Sequence, residues 1–438
     1  MIVKRPDVMG KRIGAGRVFL FLQGPHGPFF TQVAAQLRKT GAETLRMGFN
    51  MGDRLFWNGP GYIPFKGDSG SWADAFKLLA GEKSVTDIVL YGDTRPVHAD
   101  AIKVARELGI IIHVFEEGYL RPHWVTYERD GSNGYSRLID MKLTDMQAAL
   151  AKIDLELPAP PAKWGDLRQH VFYGATYHAA VLFANFGYRN FQPHRSLTVA
   201  QEFRLYIQRL LLMPLQAVER FIATQRVKFG GFPYHLVLLQ LAHDASFRKH
   251  GPFNSMTEFL EAVIAGFAEG AEVHHHLVFK AHPLEDGRAG IRATLRRLAR
   301  EHGITDRVHY VRGGKLAELL DHTRSVTTVN STAAQQALWR GLPIKAFGQA
   351  VYSKPEFVSD QALPAFYAHP ARPDTKAYRD YRHYLMESSQ ITGGFYAARG
   401  RRRLLRQVVD MMLSPEDPYD ALTMGTAPPR HHLRVVPQ

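Results

Sequence analysis

The sequence predicts an α/β protein built from two Rossmann-like units, each a parallel sheet flanked by helices. Short apolar or β-branched runs alternate with helical stretches in a βαβ order, which favours parallel strands joined by right-handed crossovers. This alternation occurs twice, on either side of a stretch of different composition at about residues 140–225. The length of 438 residues agrees with this division, because a single hydrophobic core rarely serves so long a chain.

The first unit is assigned to residues 1–150. A turn rich in glycine and proline, at 23–28, ends its first strand. No GxGxxG or GxxxxGKS/T motif follows any strand, so neither a dinucleotide site nor a P-loop is supported. In chain order the predicted elements are strand 18–22, helix 30–39, strand 43–47, strand 87–93, helix 97–108 and strand 110–115.

A helical connector is predicted over residues 151–225, beginning with a proline-rich linker at 158–161. Two interpretations of its many aromatic residues remain open. They could form the core of a connector, or they could form a platform of aromatic and arginine side chains for an acceptor or a lipid. The residues concerned are Tyr173, Tyr177, Phe183, Phe186, Tyr188, Phe203 and Phe221.

The second α/β unit is assigned to residues 226–375, and residues 376–438 are predicted to form helices that pack back onto the first unit. We expect a basic, membrane-facing segment and a tail within that last stretch. In chain order the second unit is predicted as strand 234–241, helix 256–269, strand 278–281, helix 290–302, strand 308–311, helix 316–322, strand 326–329, helix 333–340 and a final strand 342–348.

Charge and composition limit the classes of function. The net charge is +14, which favours an anionic partner such as a nucleic acid, an anionic membrane or an acidic polymer. There is no cysteine, which excludes disulfides, thiolate catalysis and cysteine-based zinc sites. No apolar run is long enough to predict a transmembrane helix, and no secretory signal is recognised. The basic run 399–406 continues into the apolar run 408–413, a pattern typical of helices at membrane surfaces.

Polar residues follow several predicted strands, and ligands bind at the carboxyl ends of strands in parallel sheets. In the second unit His282-Pro283 ends one strand, and Asn330-Ser331-Thr332 ends another. An imidazole can hydrogen-bond a phosphate, and hydroxyl groups at a helix start lie beside free N–H groups. Each motif alone also has a structural explanation, as a strand-ending proline or an N-cap. Together they predict a site for a charged small molecule such as a nucleotide.

Carboxylates follow two other buried strands. Glu116 and Glu117 are adjacent, so in a cleft one would raise the pKa of the other, which suits general acid–base chemistry. Asp244 follows the strand at 234–241, beside Gln240 and His243, where a carboxylate could attack an anomeric carbon. An exposed acidic turn and a loop aspartate are the alternative interpretations.

Several longer stretches resemble a known family, the bacterial capsule polysaccharide biosynthesis proteins of the KpsS/LipB type. The resemblance covers roughly residues 17–395. The stretches are LFLQGPHGPFF at 20–30, FNMGD at 49–53, EEGYLRPHWVT at 116–126, QLAHDAS at 240–246, KAHPL at 280–284 and NST at 330–332. The family implies transfer of Kdo (3-deoxy-D-manno-oct-2-ulosonic acid) from CMP-Kdo. It also implies a GT-B-like fold, in which two Rossmann-like α/β domains face a cleft and are joined by a helical connector.

The resemblance implies a role for each matched residue. Glu117 would be the acid/base with Glu116 beside it. Asp244 would be a nucleophile or would only stabilise charge, since His243 stands where retaining relatives carry an acidic residue. The residues implied to bind the CMP part of the donor are Lys280, His282, Pro283, Asn330, Ser331 and Thr332. Those implied to bind the rest of the substrates are Gln23, Gly24, His26, Asn50 and Arg121. Arg121, Lys280 and His26 are candidate partners of the Kdo carboxylate.

The family also implies partners and a location. CMP is already a good leaving group, so neither a metal nor another cofactor is required. The acceptor would be a glycolipid built on a phosphatidylglycerol-type lipid, at the inner face of the bacterial inner membrane, with capsule assembly or export proteins nearby and no nucleic acid. Two alternatives stay open: another CMP-sugar transferase resembling sialyltransferases, and a non-enzymatic capsule assembly or export factor.

Overall fold

A computed structural model of the protein describes residues 13–153, 167–191, 199–242, 245–283, 285 and 287–427. Its strands form two separate sheets, one of seven strands and one of five. The strands are β1 Val18–Phe21, β2 Glu43–Gly48, β3 Tyr62–Pro64, β4 Asp87–Tyr91, β5 Ile111–Glu117, β6 Trp124–Arg129, β7 Tyr234–Leu238, β8 His276–Lys280, β9 Val308–Val311, β10 Thr323–Thr328, β11 Ile344–Ala346 and β12 Gln390–Thr392.

Helices connect and cover these strands. They are α1 Phe29–Lys39, α2 Met51–Leu55, α3 Trp72–Glu82, α4 Pro96–Glu107, α5 Leu143–Leu150, α6 Leu167–Ala184, α7 Val199–Phe229, α8 Ala245–His250, α9 Met256–Gly270, α10 Ile291–Glu301, α11 Leu316–Leu320, α12 Gln335–Leu338, α13 Leu363–Ala368, α14 Thr375–Glu387, α15 Ala398–Leu413 and α16 Pro418–Met424. Short 3₁₀ turns occur at Asn133–Tyr135, Arg137–Ile139, Asn185–Gly187, Thr305–Arg307 and Thr332–Ala334.

The second sheet is parallel throughout, in the order β11-β10-β7-β8-β9. The first sheet has the order β12-β6-β5-β4-β1-β2-β3, and its strands β5 to β3 are parallel. The prediction of two parallel α/β units is therefore confirmed. Both sheets are covered on their faces by helices, as their largely buried strands require.

Three strands of the first sheet were not predicted, whereas the predicted final strand of the second unit, 342–348, is confirmed with the shorter range Ile344–Ala346. Strands β3 and β12 have three residues each, too few to show a period of two. Strand β6 is antiparallel to β5 and completely buried, although it contains Glu128 and Arg129. Glu128 is accommodated because the hydroxyls of Tyr119, Ser136 and Tyr419 donate to its carboxylate. A charged sequence therefore forms a core strand, which hydropathy could not indicate.

The two sheets are joined by one continuous apolar core. Buried residues of the first unit, among them Tyr119 and Leu120, pack with Ala334 and Leu338 of the second and with Tyr381 of α14. The buried Lys354 adds polar contacts, since its ammonium donates to the carbonyls of Ile139 at 2.9 Å and Met141 at 2.6 Å. Strand β12 then returns the chain to the first sheet beside β6.

Helix α15 contains the basic run on which a membrane-facing surface was predicted. Its apolar face is buried in the first unit, against α1 and its neighbours, through residues such as Leu404 and Val408. Arg401 is buried as well, donating to the carbonyl of Tyr396. The exposed residues Arg399, Arg402 and Arg406 form one face by their spacing. Membrane contact by this helix therefore stays a prediction for the arginine face alone, because the apolar face already serves the core.

The two connector helices pack on different units. Tyr173 and Tyr177 of α6 lie against Gly27 and Gly52 of the first unit, whereas Thr224 and Val227 of α7 are buried near the second. The expectation of core aromatics is therefore confirmed only in part. Phe183, Phe186 and Phe221 are exposed. The predicted linker at 158–161 and the side chain of Phe203 lie outside the described residues. Within the described part of the chain, no helix is both long and apolar enough to span a bilayer.

The packing of α15 predicts a large difference between two leucine truncations. Leu404 is fully buried, whereas Leu78 on α3 is 65% exposed. Leu404→Ala should lower the free energy of unfolding by about 2–5 kcal/mol, because it removes buried methyl groups and leaves a cavity. Leu78→Ala should change it by less than about 0.5 kcal/mol. Urea denaturation followed by circular dichroism measures both; equal effects would contradict the burial of this helix.

Candidate active site

The acidic pair lies at the carboxyl end of β5, as predicted. Glu116 and Glu117 are its last two residues, and both are partly buried. A carboxylate oxygen of Glu116 accepts the backbone N–H of Glu117 at 3.0 Å, and the hydroxyl of Tyr91 donates to Glu117 at 3.3 Å. Gly92, at positive φ, allows this close approach: a Cβ there would lie 3.0 Å from the Glu116 carboxylate. The two carboxyl groups are thus held at the sheet edge by backbone and by one tyrosine.

The electrostatic environment of the pair shifts the pKa of Glu116. Burial raises the pKa of Glu116 to about 7, and the negative charges of Glu117 and Asp93 act in the same direction. A carboxyl group that exchanges a proton near neutral pH can serve as an acid or a base. Arg121 opposes the shift through its positive charge, and its guanidinium donates to the carbonyl of Gly118 at 3.1 Å. The Arg121 side chain is exposed, and its positive charge acts on Glu116.

The other predicted substrate residues lie at the carboxyl ends of β1 and β2, around the buried Asp53. Gln23 donates to Asp53 at 3.3 Å, and Arg46 forms an ion pair with it at 3.1 Å. Asn50 is fully buried and caps α2, accepting the N–H of Asp53 at 2.9 Å and donating to the hydroxyl of Tyr177 at 2.7 Å. Both ends of the Asn50 side chain are therefore used inside the protein.

Two further predicted residues lie in the turn after β1. His26 stacks on Tyr177 of α6, with ring centroids 4.3 Å apart. Gly24 permits a close contact, because a Cβ there would lie 2.6 Å from the ring of Phe30. This turn is therefore fixed from both sides, with His26 placed between the first sheet and the connector.

In the second sheet, Asn330 and Gln240 tie two strand ends together. Gln240 donates to the Asn330 carbonyl oxygen at 2.7 Å, and the N–H of Asn330 donates back at 3.1 Å. The hydroxyl of Ser331 accepts the N–H of Ala333 at 3.3 Å, so Ser331 is an N-cap. The predicted helix 333–340 is shorter than expected: it consists of the 3₁₀ turn from Thr332 followed by the four residues of α12. Its N-terminal dipole is correspondingly weaker than that of a full helix.

The His-Pro motif adjoins a cationic site that includes an unpredicted residue, Arg220 of α7. Lys280, the last residue of β8, is buried, and burial together with the charge of Arg220 lowers its pKa to about 8. Arg220 also lies against Gly313 and Gly314, and Pro283 borders Gly313. Among the described residues, no carboxylate forms an ion pair with Lys280 or Arg220. Two close cations that form no ion pair with a carboxylate in the described part of the chain favour an anionic ligand, such as a phosphate.

The edges of the two sheets meet at Gln335, immediately after the Ser331-Thr332 turn. Its side-chain amide donates to the carbonyl of Tyr119, two residues beyond Glu117, at 3.1 Å. A second contact is His250 of α8, whose ring packs on Gly134 and lies 4.7 Å from the ring of Tyr135. The acidic motif and the Ser/Thr motif are therefore brought together, although they are far apart in sequence.

Asp93 and His250 were missed by sequence analysis and lie at this junction. Asp93 follows β4, accepts from Ser132 at 2.7 Å, and has its pKa raised by burial. Its second carboxylate oxygen and the Nε2 atom of His250 are buried without a hydrogen-bond partner among the described residues. Buried polar atoms are nearly always paired, so these two atoms are candidates for a hydrogen bond to a water molecule or a ligand. The position of Asp93 at the end of the predicted strand 87–93 was the sequence signal that could have identified this part of the site.

Asp244 and His243 lie outside the described residues. His282 is partly buried and Pro283 is exposed at the end of β8. Within the described ranges, no group of three histidine or acidic side chains is positioned to hold a metal ion.

The fold is GT-B-like: two parallel α/β sheets with polar residues of both carboxyl edges at their junction. A family profile described as capsule polysaccharide biosynthesis protein matches residues 86–396. The chain belongs to this family.

Similarity to individual proteins agrees with this family membership. The capsule polysaccharide export protein KpsS of Escherichia coli is 29% identical over 388 residues, covering 87% of this chain and 97% of that protein. The capsule polysaccharide modification protein LipB of Neisseria meningitidis serogroup A is 29% identical over 383 residues, covering 86% and 91%. A solved structure of KpsC β-Kdo 2,4 transferase from Thermosulfurimonas dismutans covers 90% of this chain and 98% of its own, at 12% identity and a TM-score of 0.44.

The raised pKa of Glu116 predicts a pH-dependent effect of Glu116→Gln on stability. In the unfolded chain the carboxyl ionises near pH 4.5, but in the fold it keeps its proton until about pH 7. The folded state binds more protons within this window, so the contribution of Glu116 to stability falls as pH rises through it. The glutamine variant should gain stability relative to the parent between pH 5 and pH 8. Denaturation curves of both proteins at pH 5 and pH 8 measure the difference between their free energies of unfolding. An equal difference at the two pH values would contradict the raised pKa of Glu116.

Proposed function

We propose that this protein transfers Kdo from CMP-Kdo to a phosphatidylglycerol-type lipid acceptor in capsule polysaccharide biosynthesis, with retention of configuration. The observation that carries the proposal is the proximity of Arg220 to Lys280 at the carboxyl end of one sheet, together with the acidic pair Glu116 and Glu117 at the carboxyl end of the other. A nucleotide phosphate needs cations as it leaves, and an acceptor hydroxyl needs a base. The membership of the chain in a capsule family supports the same reaction.

The donor half of the site would hold CMP. His282 and the Ser331-Thr332 turn contact the nucleotide, and Lys280 and Arg220 balance the charge that develops on the phosphate. Lys280 is buried, so its interaction with an anion is screened less than it would be at the surface. When the bond between the anomeric carbon and the phosphate oxygen breaks, the electron pair leaves with CMP.

The acceptor half would supply the acid–base chemistry. In the retaining route a carboxylate, assigned to Asp244, bonds to the anomeric carbon as CMP departs. The acceptor hydroxyl then attacks that carbon, gives its proton to Glu117, and releases the Asp244 carboxylate. Tyr91 orients Glu117 through its hydrogen bond. Glu116 carries a pKa of about 7, so its protonation state sets the charge around Glu117 at physiological pH.

The lipid acceptor would place the protein at the inner face of the bacterial inner membrane. The net charge of +14 supports this location, because anionic lipids attract a cationic surface. Neither a metal nor another cofactor is needed in the proposed reaction, since CMP is a sufficient leaving group.

The cationic site predicts selective losses of CMP affinity. Lys280→Gln and Arg220→Gln should each weaken CMP binding by about tenfold or more, because each removes a charge-assisted contact to phosphate. Arg226→Gln on the exposed side of the same helix is the matched control and should leave the affinity unchanged. Isothermal titration calorimetry measures all three. If Arg226→Gln weakened CMP binding as much as Arg220→Gln, general electrostatics rather than a phosphate site would explain the effect.

Turnover tests the reaction itself. The purified protein should transfer Kdo from CMP-Kdo to a fluorescent lipid acceptor but should not use CMP-sialic acid. Glu117→Gln and Asp244→Asn should each reduce product by at least a hundredfold while CMP binding persists, since both act on the chemical step. Thin-layer chromatography of the labelled lipid reports product. Transfer from CMP-sialic acid would indicate a different CMP-sugar transferase, and no turnover with either donor would favour an assembly or export factor.

A further inference from the structure

Helix α7 carries a continuous apolar surface that nothing in the described chain covers. We call this surface the α7 stripe; it consists of Leu211, Leu215, Val218, Ile222 and Phe229. Their side chains are exposed by 73%, 69%, 58%, 61% and 80%, respectively. The spacings of four, three, four and seven residues place all five on one face of the helix. At 1.5 Å per residue this face extends roughly 27 Å, which is large for an unoccupied surface of a soluble protein.

The stripe lies opposite the face of α7 that packs on the protein. Thr224 and Val227 are buried, and Arg220 turns toward Gly313 and Gly314. These inward residues are about half a helical turn away from the α7 stripe. The α7 stripe therefore faces away from the second α/β unit, and the inward side of the helix carries Thr224, Val227 and Arg220. An exposed apolar patch of this size normally marks a surface that contacts protein or lipid.

The charges around the α7 stripe indicate the partner. Two exposed arginines fit the same spacing: Arg204 lies seven residues before Leu211, and Arg226 lies between Ile222 and Phe229. The acidic Glu219 is neutralised by Arg292 and Arg312. An apolar face bordered by arginines is the pattern of helices that lie in the plane of an anionic membrane surface. A second copy of the chain is the less favourable partner, because two molecules of charge +14 repel each other.

The helices α6 and α15 also expose apolar and basic residues, respectively. On α6, Phe172 and Phe183 are exposed on the side away from the packed Tyr173 and Tyr177. The start of α6 adjoins α15, since the ring of His170 stacks on that of Tyr396 with centroids 4.1 Å apart. The exposed arginines of α15 therefore begin close to the connector, where they can add to the attraction toward anionic lipid.

We propose that the α7 stripe lies in the surface of an anionic lipid bilayer and docks the protein there, with Arg204 and Arg226 contacting headgroups. This deepens the proposed function by assigning the surface that brings the site to a lipid acceptor, and it rests on that function only for the reason why docking is needed. The α7 helix also carries Arg220 of the cationic site, so one element connects the membrane surface with the donor site.

The test is flotation of the full-length protein with vesicles of phosphatidylglycerol and phosphatidylcholine, compared with vesicles of phosphatidylcholine alone. The parent protein should partition at least tenfold more strongly onto the anionic vesicles. The double variant Leu211→Glu with Val218→Glu should lose at least tenfold of that partitioning. Leu78→Glu, which changes a leucine of similar exposure on α3, is the matched control and should partition like the parent.

A second variant separates the α7 stripe from the basic face of α15. Arg399→Gln, Arg402→Gln and Arg406→Gln together should weaken partitioning mainly at low salt and leave most of it at 150 mM salt, since charge contributions are screened. The proposal is overturned if only this triple variant loses binding. It is equally overturned if the α7 variant binds vesicles normally but changes from dimer to monomer by light scattering.

The failure of docking can be distinguished from failure of the proposed reaction. CMP affinity of the α7 variant, measured by calorimetry, should equal that of the parent, which shows that the fold and donor site are intact. Vesicle binding requires no donor, so a protein that docks but transfers no sugar would refute the reaction and retain the docking surface. A protein that transfers Kdo to a detergent-soluble acceptor but does not dock would refute the docking surface and retain the proposed reaction.

Discussion

The junction between the two sheets is the contact on which the site depends. Gln335 donates to the carbonyl of Tyr119, and a shared apolar core surrounds that bond. The first sheet edge contributes carboxylates to the candidate site, and the second contributes cations and the Ser/Thr turn. Because Tyr119 also receives support from Gln390 of β12, at 2.8 Å, the C-terminal segment helps to hold the acidic motif in place. A strand of three residues near the end of the chain thus positions a turn more than 250 residues earlier.

Charged groups of opposite sign lie at the carboxyl ends of the two sheets. In the first unit, burial raises the pKa of Glu116 to about 7; the charges of Glu117 and Asp93 act in the same direction, and that of Arg121 acts against them. In the second unit, burial and the charge of Arg220 lower the pKa of Lys280 to about 8. Perturbed pKa values cluster at functional sites, which agrees with the proposed anionic donor and proton transfer.

The connector shows how one element can serve several surfaces. Helix α7 packs on the second unit through Thr224 and Val227, contributes Arg220 to the cationic site, and exposes the α7 stripe on its far side. Helix α15, in contrast, uses its apolar face for the core of the first unit and leaves only arginines outside. Both helices are amphipathic by sequence, yet the apolar face of α15 is buried and that of α7 is exposed. Hydrophobic periodicity indicates that a face will be removed from water, but it does not indicate what will cover it.

The sequence by itself determined the two α/β units, the order of most elements, the positions of Glu116, Glu117 and Lys280 at strand ends, and the resemblance to a capsule family. These are local properties, since strand periods, turn residues and short motifs are readable within a few residues of chain. Tertiary structure alone decided that β6 and β12 complete the first sheet and that Asn50 is enclosed. It also decided that Arg220, Asp93 and His250 join the site and that the apolar face of α15 is buried while that of α7 is exposed. The reason is physical: burial and charge proximity depend on residues distant in sequence, and no local pattern encodes which distant surface will meet them.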